Sequence, residues 1–227
     1  MPARLDPSQI PAAPNLEFEQ DLWLQAVRYI AGLDEAGRGA WAGPVMAGAV
    51  ILPPSTDILK LLEGVRDSKE LSPARRADLA PVICNHAFAW AVGESSAAEI
   101  DALGILPATR LAMQRALRAL AETADHLLID ALFLPDVDIP QTALIKGDQR
   151  SLSIAAASIL AKTSRDAWMC DCETLYPQYG FSRHKGYGTS LHQQRLKSYG
   201  PSAIHRRSFA PIRALLGEEN MAALRTG

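Results

Sequence analysis

The sequence has few cysteines and no long apolar run, and both shortages exclude whole classes of protein. Its three cysteines, Cys84, Cys170 and Cys172, are too few for a disulfide scaffold and are typical of a reducing compartment. No run approaches the length of a membrane-spanning helix, and prolines and acids interrupt the N-terminus where a signal peptide would need apolar residues. We therefore expect a cytoplasmic protein that does not enter the membrane.

Acidic residues are missing from one long stretch of the chain. Between Thr174 and Gly217 there is no Asp or Glu, although the whole chain carries a net charge of −2. The basic residues of this stretch are Arg183, Lys185, Arg195, Lys197, Arg206, Arg207 and Arg213. Such a stretch suits phosphate binding, and a solvated basic face is the alternative. Because Arg206 and Arg207 are adjacent, we expect at most one of them to contact phosphate, while the other pairs within the fold.

The apolar pattern predicts an α/β fold. A hydrophobic content of 48% is enough for one core, which we expect in a single domain over residues 15–227 of a monomer, after a flexible Pro/Ala-rich segment over residues 1–14. Strands are predicted at residues 29–33, 44–52, 87–92, 126–132 and 142–145, and longer helices at residues 73–85, 107–124, 153–174, 190–198 and 211–224. This order gives a central mixed sheet flanked by helices, with a helical C-terminal region over about residues 175–227.

Two adjacent acids, Asp34 and Glu35, end the first predicted strand and are followed by Gly37, Arg38 and Gly39. Desolvated carboxylates need a counter-charge, and a divalent cation such as Mg²⁺ or Mn²⁺ is a natural one. The glycines let the backbone approach a ligand, and the arginine between them adds a positive charge. This pattern is compatible with a phosphodiester site, although the spacing alone favours the alternative, a tight turn between two strands with a solvated acid pair.

Four more residues stand out, although the residues alone do not say which of them meet. Asp130 ends another apolar run, and Asp166 lies on the longest predicted helix. Lys69 follows Asp-Ser and is a candidate phosphate contact, although helix capping also accounts for this segment. Tyr187 lies between two glycines, where it could stack on a sugar or base or simply pack in a turn.

Taken together, these segments closely resemble the bacterial ribonuclease HII family, in the family's order, from about Tyr29 to about Arg213. They are GLDEAGRGAWAGPVMAGAVIL, DSKELSP, LLID, KGDQRSLSIAAASILAKTSRD, YPQYGFSRHKGYGT and HRRSF. Each is a weak signal alone, but the set is specific. The resemblance implies the ribonuclease H-like fold.

The resemblance also implies roles for individual residues. It puts the metal-site acids on Asp34, Glu35, Asp130 and Asp166. It implies that Gly37, Arg38 and Gly39 contact the ribose 2′-hydroxyl, the group that distinguishes RNA from DNA. It makes Lys69 a phosphate contact and Tyr187 the residue that senses the RNA-to-DNA junction. In the basic stretch, we expect Arg183 and Lys185 to bind duplex phosphates.

The expected activity is therefore hydrolysis of the RNA strand of RNA–DNA hybrids, with incision 5′ of ribonucleotides embedded in duplex DNA. We expect two-metal-ion catalysis with Mg²⁺ or Mn²⁺, leaving a 5′-phosphate and a 3′-hydroxyl. Another nuclease on the same fold and a non-catalytic nucleic-acid-binding protein are the alternatives. The chain departs from the family pattern in two places. Ala131 replaces a usual glycine, and the tail over residues 217–227 has no motif for docking on a sliding clamp.

Overall fold

The computed structural model describes the backbone of residues 10–225 and the side chains of residues 10–217. Its strands are β1 (Ile30–Ala36), β2 (Val45–Ile51), β3 (Ala89–Ser95), β4 (His126–Asp130) and β5 (Gln141–Leu144). Its α-helices are α1 (Glu17–Leu24), α2 (Ile58–Leu61), α3 (Pro73–His86), α4 (Ala97–Leu103), α5 (Ile105–Ala119), α6 (Leu152–Leu175), α7 (Phe181–His184), α8 (Ser190–Tyr199) and α9 (Ala210–Arg225). Two 3₁₀ turns lie at Ser68–Glu70 and Gly147–Gln149.

The strands form one mixed sheet in the order β3-β2-β1-β4-β5. β1 pairs antiparallel with β2 and parallel with β4, and β4 pairs parallel with β5. β1 thus lies in the middle of the sheet, between the antiparallel strand β2 and the parallel strand β4. The mixed central sheet and the helical C-terminal region predicted from the sequence are confirmed.

The predicted end of β1 was wrong. The strand continues past Leu33 to Ala36, so both acids lie inside it rather than in the turn that follows. Asp34 pairs with Gly48 and Glu35 pairs with Ala47 of β2, and this pairing keeps the backbone extended through the two charges. The tight-turn alternative for Asp34 and Glu35 is thereby excluded.

Helices α4 and α5 differ from the pattern-based prediction. α5 begins at Ile105 and ends at Ala119, whereas the prediction covered residues 107–124. α4 was missed, although Ser96 and Glu99 form a capping box at its start and are a readable signal for a helix. Of the predicted flexible segment over residues 1–14, residues 1–9 lie outside the described part of the chain. That prediction therefore stays a prediction.

The chain divides into two compact units, and whether residues 15–227 form a single domain stays a prediction. Unit 1 comprises the residues up to Ala36, Met46–Glu94 and Ala112–Thr163. Its main core packs the apolar face of α3 and the C-terminal part of β2 against the first part of α6. Gly48 makes this packing close, since a Cβ on it would lie 2.3 Å from the carbonyl oxygen of Ala157. Only glycine allows strand and helix backbones to approach so closely.

Unit 2 comprises Gly37–Val45, Ser95–Leu111 and the residues from Ser164 onward. Its core is largely aromatic and sulfur-containing, with Met169, Tyr179, Phe181 and Leu196 among the buried members. Cys170 and Cys172 lie on α6, as predicted, and all three cysteines of the chain are free thiols. In the part of the chain that the structure describes, no helix has the length and apolar character needed to cross a membrane.

Candidate active site

Two of the predicted metal-site acids stand on neighbouring strands of unit 1. Leu33 of β1 pairs with Ile129 of β4, and Asp34 and Asp130 each follow directly after this pair. The parallel register of two apolar strands therefore carries both carboxylates to the same part of the sheet. Sequence patterns identified each strand end, but only the pairing brings the two acids together.

Asp34 is the most perturbed acid of this group. It is 2% exposed, and one of its carboxylate oxygens accepts a 2.7 Å hydrogen bond from the backbone amide of Glu35. Burial raises its pKa well above the usual range for aspartate, and the negative charges of Glu35, Asp130 and Asp148 raise it further. An ionised Asp34 is therefore costly unless positive charge is brought to it.

Asp130 has a similar but weaker perturbation. Burial raises its pKa to about 6, the charge of Asp148 adds to the increase, and a hydrogen bond from Gly147 opposes it. This bond joins the Gly147 amide nitrogen to Oδ1 of Asp130 over 2.7 Å. It fixes the carboxylate at the end of β4 by the turn that leads into α6. The next residue, Ala131, has a positive φ of 49°, where a glycine would be less strained.

Asp148 is a further acid of this group that sequence reasoning did not select. It is buried, and its carboxylate receives a 3.2 Å contact from the ammonium group of Lys69. Lys69 also lies 3.6 Å from Asp67. Partial burial opposes the charge on Lys69, but Asp148, Asp34 and Asp67 outweigh it and hold its pKa above the ordinary lysine value. The Lys-Gly-Asp segment after the last strand was the available signal.

Lys69 is thus a cation in contact with the acid group. Its side chain is 71% exposed even though both of its partners are buried. The ammonium can therefore meet a ligand from solvent without leaving its aspartates. The capping explanation also holds for the segment, because the Asp67 carboxylate accepts a hydrogen bond from the Lys69 amide.

The donor set fits a hard divalent cation. Carboxylate oxygens are the ligands that Mg²⁺ and Mn²⁺ prefer, and the repulsion between Asp34, Glu35 and Asp130 is what a cation would relieve. Among the residues that the structure describes, no three His, Cys, Asp or Glu side chains form a ready-made metal-binding group.

The N-terminus of α6 already has its own anion. Oε1 of the buried Glu19 accepts hydrogen bonds from the hydroxyls of Ser151 and Ser153 and from the amide of Ser153. Capping by a protein carboxylate therefore satisfies this end of the helix. An external phosphate is not needed to explain the serine-rich start of α6.

In unit 2, Gly37–Gly39 form a turn of defined shape. Gly37 has a φ of 97°, and a Cβ there would lie 2.0 Å from Nε of Arg165. No residue other than glycine fits this position. Arg38 and Gly39 are exposed, and nothing lies within 4 Å of where a Cβ on Gly39 would be. The backbone at the exposed end of this turn is thus open to a ligand.

Two buried arginines hold the segment that follows. Arg165 donates hydrogen bonds to the carbonyl oxygens of Pro44, Ala42 and Lys185 at 2.9–3.0 Å. Arg206 donates to the carbonyls of Gly43, Arg38 and Pro44, also at 2.9–3.0 Å. Both side chains are fully buried; Arg165 was not selected from the sequence, and Arg206 was considered there only as a possible phosphate contact. The prediction that one of Arg206 and Arg207 pairs within the fold is confirmed for Arg206.

Tyr187 stands in the second segment that these arginines hold. Its ring is half-buried and lies under the Arg165 guanidinium, whose central carbon is 5.2 Å from the ring centre. Lys185 has a left-handed backbone conformation, and its ammonium donates to the carbonyl of Ser182. Arg183 is exposed. Asp166, half-buried on α6, belongs to unit 2 as well, so its grouping with the three acids of unit 1 stays a prediction.

The family follows from comparison with known proteins. The family model described as Ribonuclease HII matches residues 31–212. The chain belongs to the ribonuclease HII family. It is 53% identical to a Ribonuclease HII from Chloroflexus aurantiacus over 208 residues, which cover 91% of this chain and 98% of the relative. The chain is therefore a ribonuclease H type 2 enzyme.

Solved structures agree with the expected fold. The ribonuclease H2 from Pyrococcus horikoshii OT3 is 26% identical and gives a TM-score of 0.68 over 85% of this chain and 99% of that one. Bst-RNase HIII in complex with Mn²⁺ is 20% identical and gives a TM-score of 0.63, over 85% of this chain and 70% of its own. The ribonuclease H-like fold predicted from the sequence is confirmed.

Proposed function

We propose that this endoribonuclease of RNA–DNA hybrids also incises duplex DNA 5′ of single embedded ribonucleotides. The products would be a 5′-phosphate and a 3′-hydroxyl. The observation that carries the proposal is the group of mutually repelling acids on β1 and β4, with the cation of Lys69 beside it. A phosphodiester is itself negatively charged, so it can bind beside these acids only when more positive charge is supplied.

Divalent cations would supply that charge. We propose that Asp34, Glu35 and Asp130, together with Asp166 of unit 2, hold two ions of Mg²⁺ or Mn²⁺. When bound, such ions lower the pKa of an attacking water and stabilise charge on the leaving oxygen. Asp130 is held ready by its hydrogen bond from Gly147, and Lys69 can offer a cation to a phosphate oxygen while Asp148 anchors it.

Selection of the ribose is assigned to unit 2. We propose that the turn formed by Gly37, Arg38 and Gly39 contacts the 2′-hydroxyl, since its backbone is open at Gly39, where the main chain can approach a ligand closely. Tyr187 would pack its ring on the next sugar and favour deoxyribose, which has no 2′-hydroxyl. Its rigid surroundings support this role, because Arg165 lies over the ring.

Basic side chains of unit 2 would bind the duplex without reading its sequence. We propose this role for Arg183 and Lys185, and we exclude Arg206 because it is buried among backbone carbonyls. The sliding-clamp expectation concerns residues 217–227, and the side chains of residues 218–227 lie outside the described part of the chain. That expectation stays a prediction.

The deciding experiment uses a labelled DNA duplex with one ribonucleotide, incubated with and without Mg²⁺. We expect one cut on the 5′ side of the ribonucleotide, dependent on the metal, and no cut in an all-DNA duplex of the same sequence. Tight binding without cleavage would favour a non-catalytic protein. Cleavage that ignores the ribonucleotide would favour a different nuclease on this fold.

A further inference from the structure

Unit 2 contains three buried histidines that the proposed reaction does not use. His184, His192 and His205 are 6%, 0% and 1% exposed. The rings of His184 and His192 are stacked with their centres 4.3 Å apart, and Nε2 of His192 lies 3.0 Å from Nε2 of His205. Three imidazoles in one core are an unusual concentration of polar groups, so each ring nitrogen must be accounted for.

The partners of His184 fix where its proton lies. Nε2 of His184 is 3.0 Å from the carbonyl oxygen of Tyr179, which can only accept, so Nε2 carries the hydrogen. Nδ1 of the same ring receives a 3.1 Å hydrogen bond from the amide of Gly186, so Nδ1 carries the lone pair. The ring is therefore neutral, with its proton on Nε2.

The same reasoning continues through the other two rings. Nδ1 of His192 is 3.0 Å from the carbonyl oxygen of Tyr187, so this nitrogen carries the hydrogen and Nε2 accepts. His205 must then donate from its own Nε2 to His192. Nδ1 of His205 is left to accept, and the amide of Ser202 donates to it over 2.9 Å. One arrangement of protons satisfies the entire cluster, and every ring in it is neutral.

The cluster ends on the backbone of the turn that carries Tyr187. His184 accepts from the amide of Gly186, and its own carbonyl accepts from the amide of Tyr187 over 2.9 Å. His192 donates to the carbonyl of Tyr187. The peptide groups on both sides of Tyr187 are thus held by histidines. We propose that His184, His192 and His205 are positioning residues that hold Tyr187 for substrate recognition through this single set of neutral tautomers.

A proton added to any ring would break this arrangement. Protonated His192 would place two N–H groups face to face along its 3.0 Å contact with His205. Protonated His205 would carry a new N–H on Nδ1 that faces the Ser202 amide, and protonated His184 would face the Gly186 amide in the same way. Burial lowers the pKa of His192 to about 4 and that of His205 to about 3, and in each case a neighbouring histidine lowers it further. Burial also lowers the pKa of His184.

The charged groups around the cluster act mainly on His184. The carboxylate of Glu173 favours protonation of that ring, whereas Lys185 and Arg183 oppose it. The Tyr179 ring lies against His205 with ring centres 5.1 Å apart, and the Phe181 ring lies against all three histidines. Aromatic surroundings of this kind offer no counter-charge for an imidazolium, so the neutral cluster is the stable form near neutral pH.

The tautomers can be read directly by ¹⁵N NMR of the histidine rings in the full-length wild-type protein. We expect protons on Nε2 of His184, Nδ1 of His192 and Nε2 of His205, with no titration of His192 or His205 between pH 5 and 8. The free neutral ring favours Nε2–H, so an Nδ1–H signal from His192 is diagnostic. A proton on Nε2 of His192, or titration of that ring near pH 6.5 like an ordinary solvated histidine, would overturn the inference whatever the activity shows.

The positioning role rests on the proposed function of Tyr187 and is tested by a matched pair of variants. His205→Leu removes the donor to His192, and His205→Gln keeps a donor at the same place but cannot titrate. We expect His205→Leu to lower kcat about tenfold on a duplex with one ribonucleotide and much less on a uniform hybrid, as the loss of one buried hydrogen bond would allow. His205→Gln should recover most of this loss.

A Tyr187→Ala variant separates failure of this inference from failure of the proposed function. If Tyr187→Ala impairs the single-ribonucleotide substrate selectively and His205→Leu does not, the positioning role is overturned and the function of Tyr187 stands. If Tyr187→Ala lowers activity on both substrates equally, the junction-sensing function is overturned, and the positioning role that rests on it is overturned as well. Should His205→Leu not fold, the wild-type NMR spectrum and the His205→Gln variant still test the inference. If His205→Gln folds normally but loses the preference for the single-ribonucleotide duplex over the uniform hybrid, the positioning role is contradicted.

Discussion

The guanidinium of Arg165 lies over the ring of Tyr187 and also bonds the carbonyls of Pro44, Ala42 and Lys185. One buried side chain therefore holds the turn that carries Tyr187 and the segment that follows Gly37–Gly39. We expect Arg165→Lys to lower the free energy of unfolding by about 3 kcal/mol, because an ammonium cannot replace three charge-assisted hydrogen bonds in that geometry. Urea denaturation measures the loss. The exposed Arg195→Lys should stay within about 0.5 kcal/mol of wild type, and equal stability of the two variants would contradict the role of Arg165.

Asp130 is the acid whose removal is easiest to interpret. Asp130→Asn keeps the volume and can still accept the hydrogen bond from Gly147, but it removes a charged metal ligand. We expect cleavage to fall more than about 100-fold while duplex affinity changes little, since metal ligands act on the chemical step. Asp136→Asn makes the same change at an exposed site on the following loop and should cleave normally. Near-native turnover in Asp130→Asn would reject the assignment of the four acids.

The raised pKa of Asp130 predicts how the metal-free protein responds to pH. A folded-state pKa of about 6, above the ordinary 3.8, means that ionisation is easier in the unfolded chain. Stability from this group is present below pH 3.8 and is lost as the pH rises through about 6. In EDTA, wild type should therefore lose more unfolding free energy than Asp130→Asn between pH 4 and pH 7.

The difference between the two proteins is the informative quantity, because the other titrating groups are common to both. Added Mg²⁺ should reduce the difference, since the cation stabilises the ionised carboxylates. A wild type and Asp130→Asn that change in parallel with pH would show that Asp130 is not perturbed.

The proposed role of Tyr187 predicts that replacing it changes the preference between two substrates rather than lowering activity on both. We expect Tyr187→Ala to reduce turnover about tenfold on a single embedded ribonucleotide, because one aromatic contact with the neighbouring deoxyribose is lost, and to affect uniform hybrids less. Duplex affinity and melting temperature should change little. Tyr199→Ala, at an exposed tyrosine of the same unit, is the control and should not alter the ratio of the two activities. If instead Tyr187 only packs in the turn, stability and both activities will fall together.

The proposed phosphate contact of the exposed Arg183 predicts how duplex affinity depends on salt concentration. If Arg183 contacts phosphate, Arg183→Gln should weaken binding to all duplex sequences alike and flatten the log–log salt dependence of affinity by about one unit. Arg118→Gln neutralises an exposed arginine of unit 1 and should leave the slope unchanged. An unaltered slope in Arg183→Gln would mean that this arginine is only solvated.

Sequence patterns predicted the sheet better than they predicted the site. Apolar runs located each of the strands that the structure describes, and the signal is strongest in β1, β2 and β4, which are largely buried. The end of β1 was predicted too early because charge was taken as the end of the strand, whereas pairing with β2 carries Asp34 and Glu35 inside it. The short helix α2 has only four residues and too little periodicity to be found.

The parts of the site that the sequence could not reveal depend on contacts between distant segments. Asp148 contacts Lys69, which is 79 residues away in the sequence, and its charge acts on Asp34 and Asp130. Arg165 and Arg206 are ordinary basic residues in the sequence, and their burial depends on carbonyl groups of residues 38–44 that are more than 100 positions away. The histidines likewise lie in a basic stretch that suggested a solvated or phosphate-binding face, and the structure places all three in the core.

The contact between Gly48 and α6 has a consequence for how this enzyme can vary. Gly48 is the pairing partner of Asp34, and its backbone rests against the carbonyl of Ala157. The separation of strand and helix at the position of the acid is therefore set by main-chain atoms, which are the same in every sequence. The position of Asp34 is therefore fixed by a contact between main chains, and any side chain at residue 48 would displace Asp34 from it.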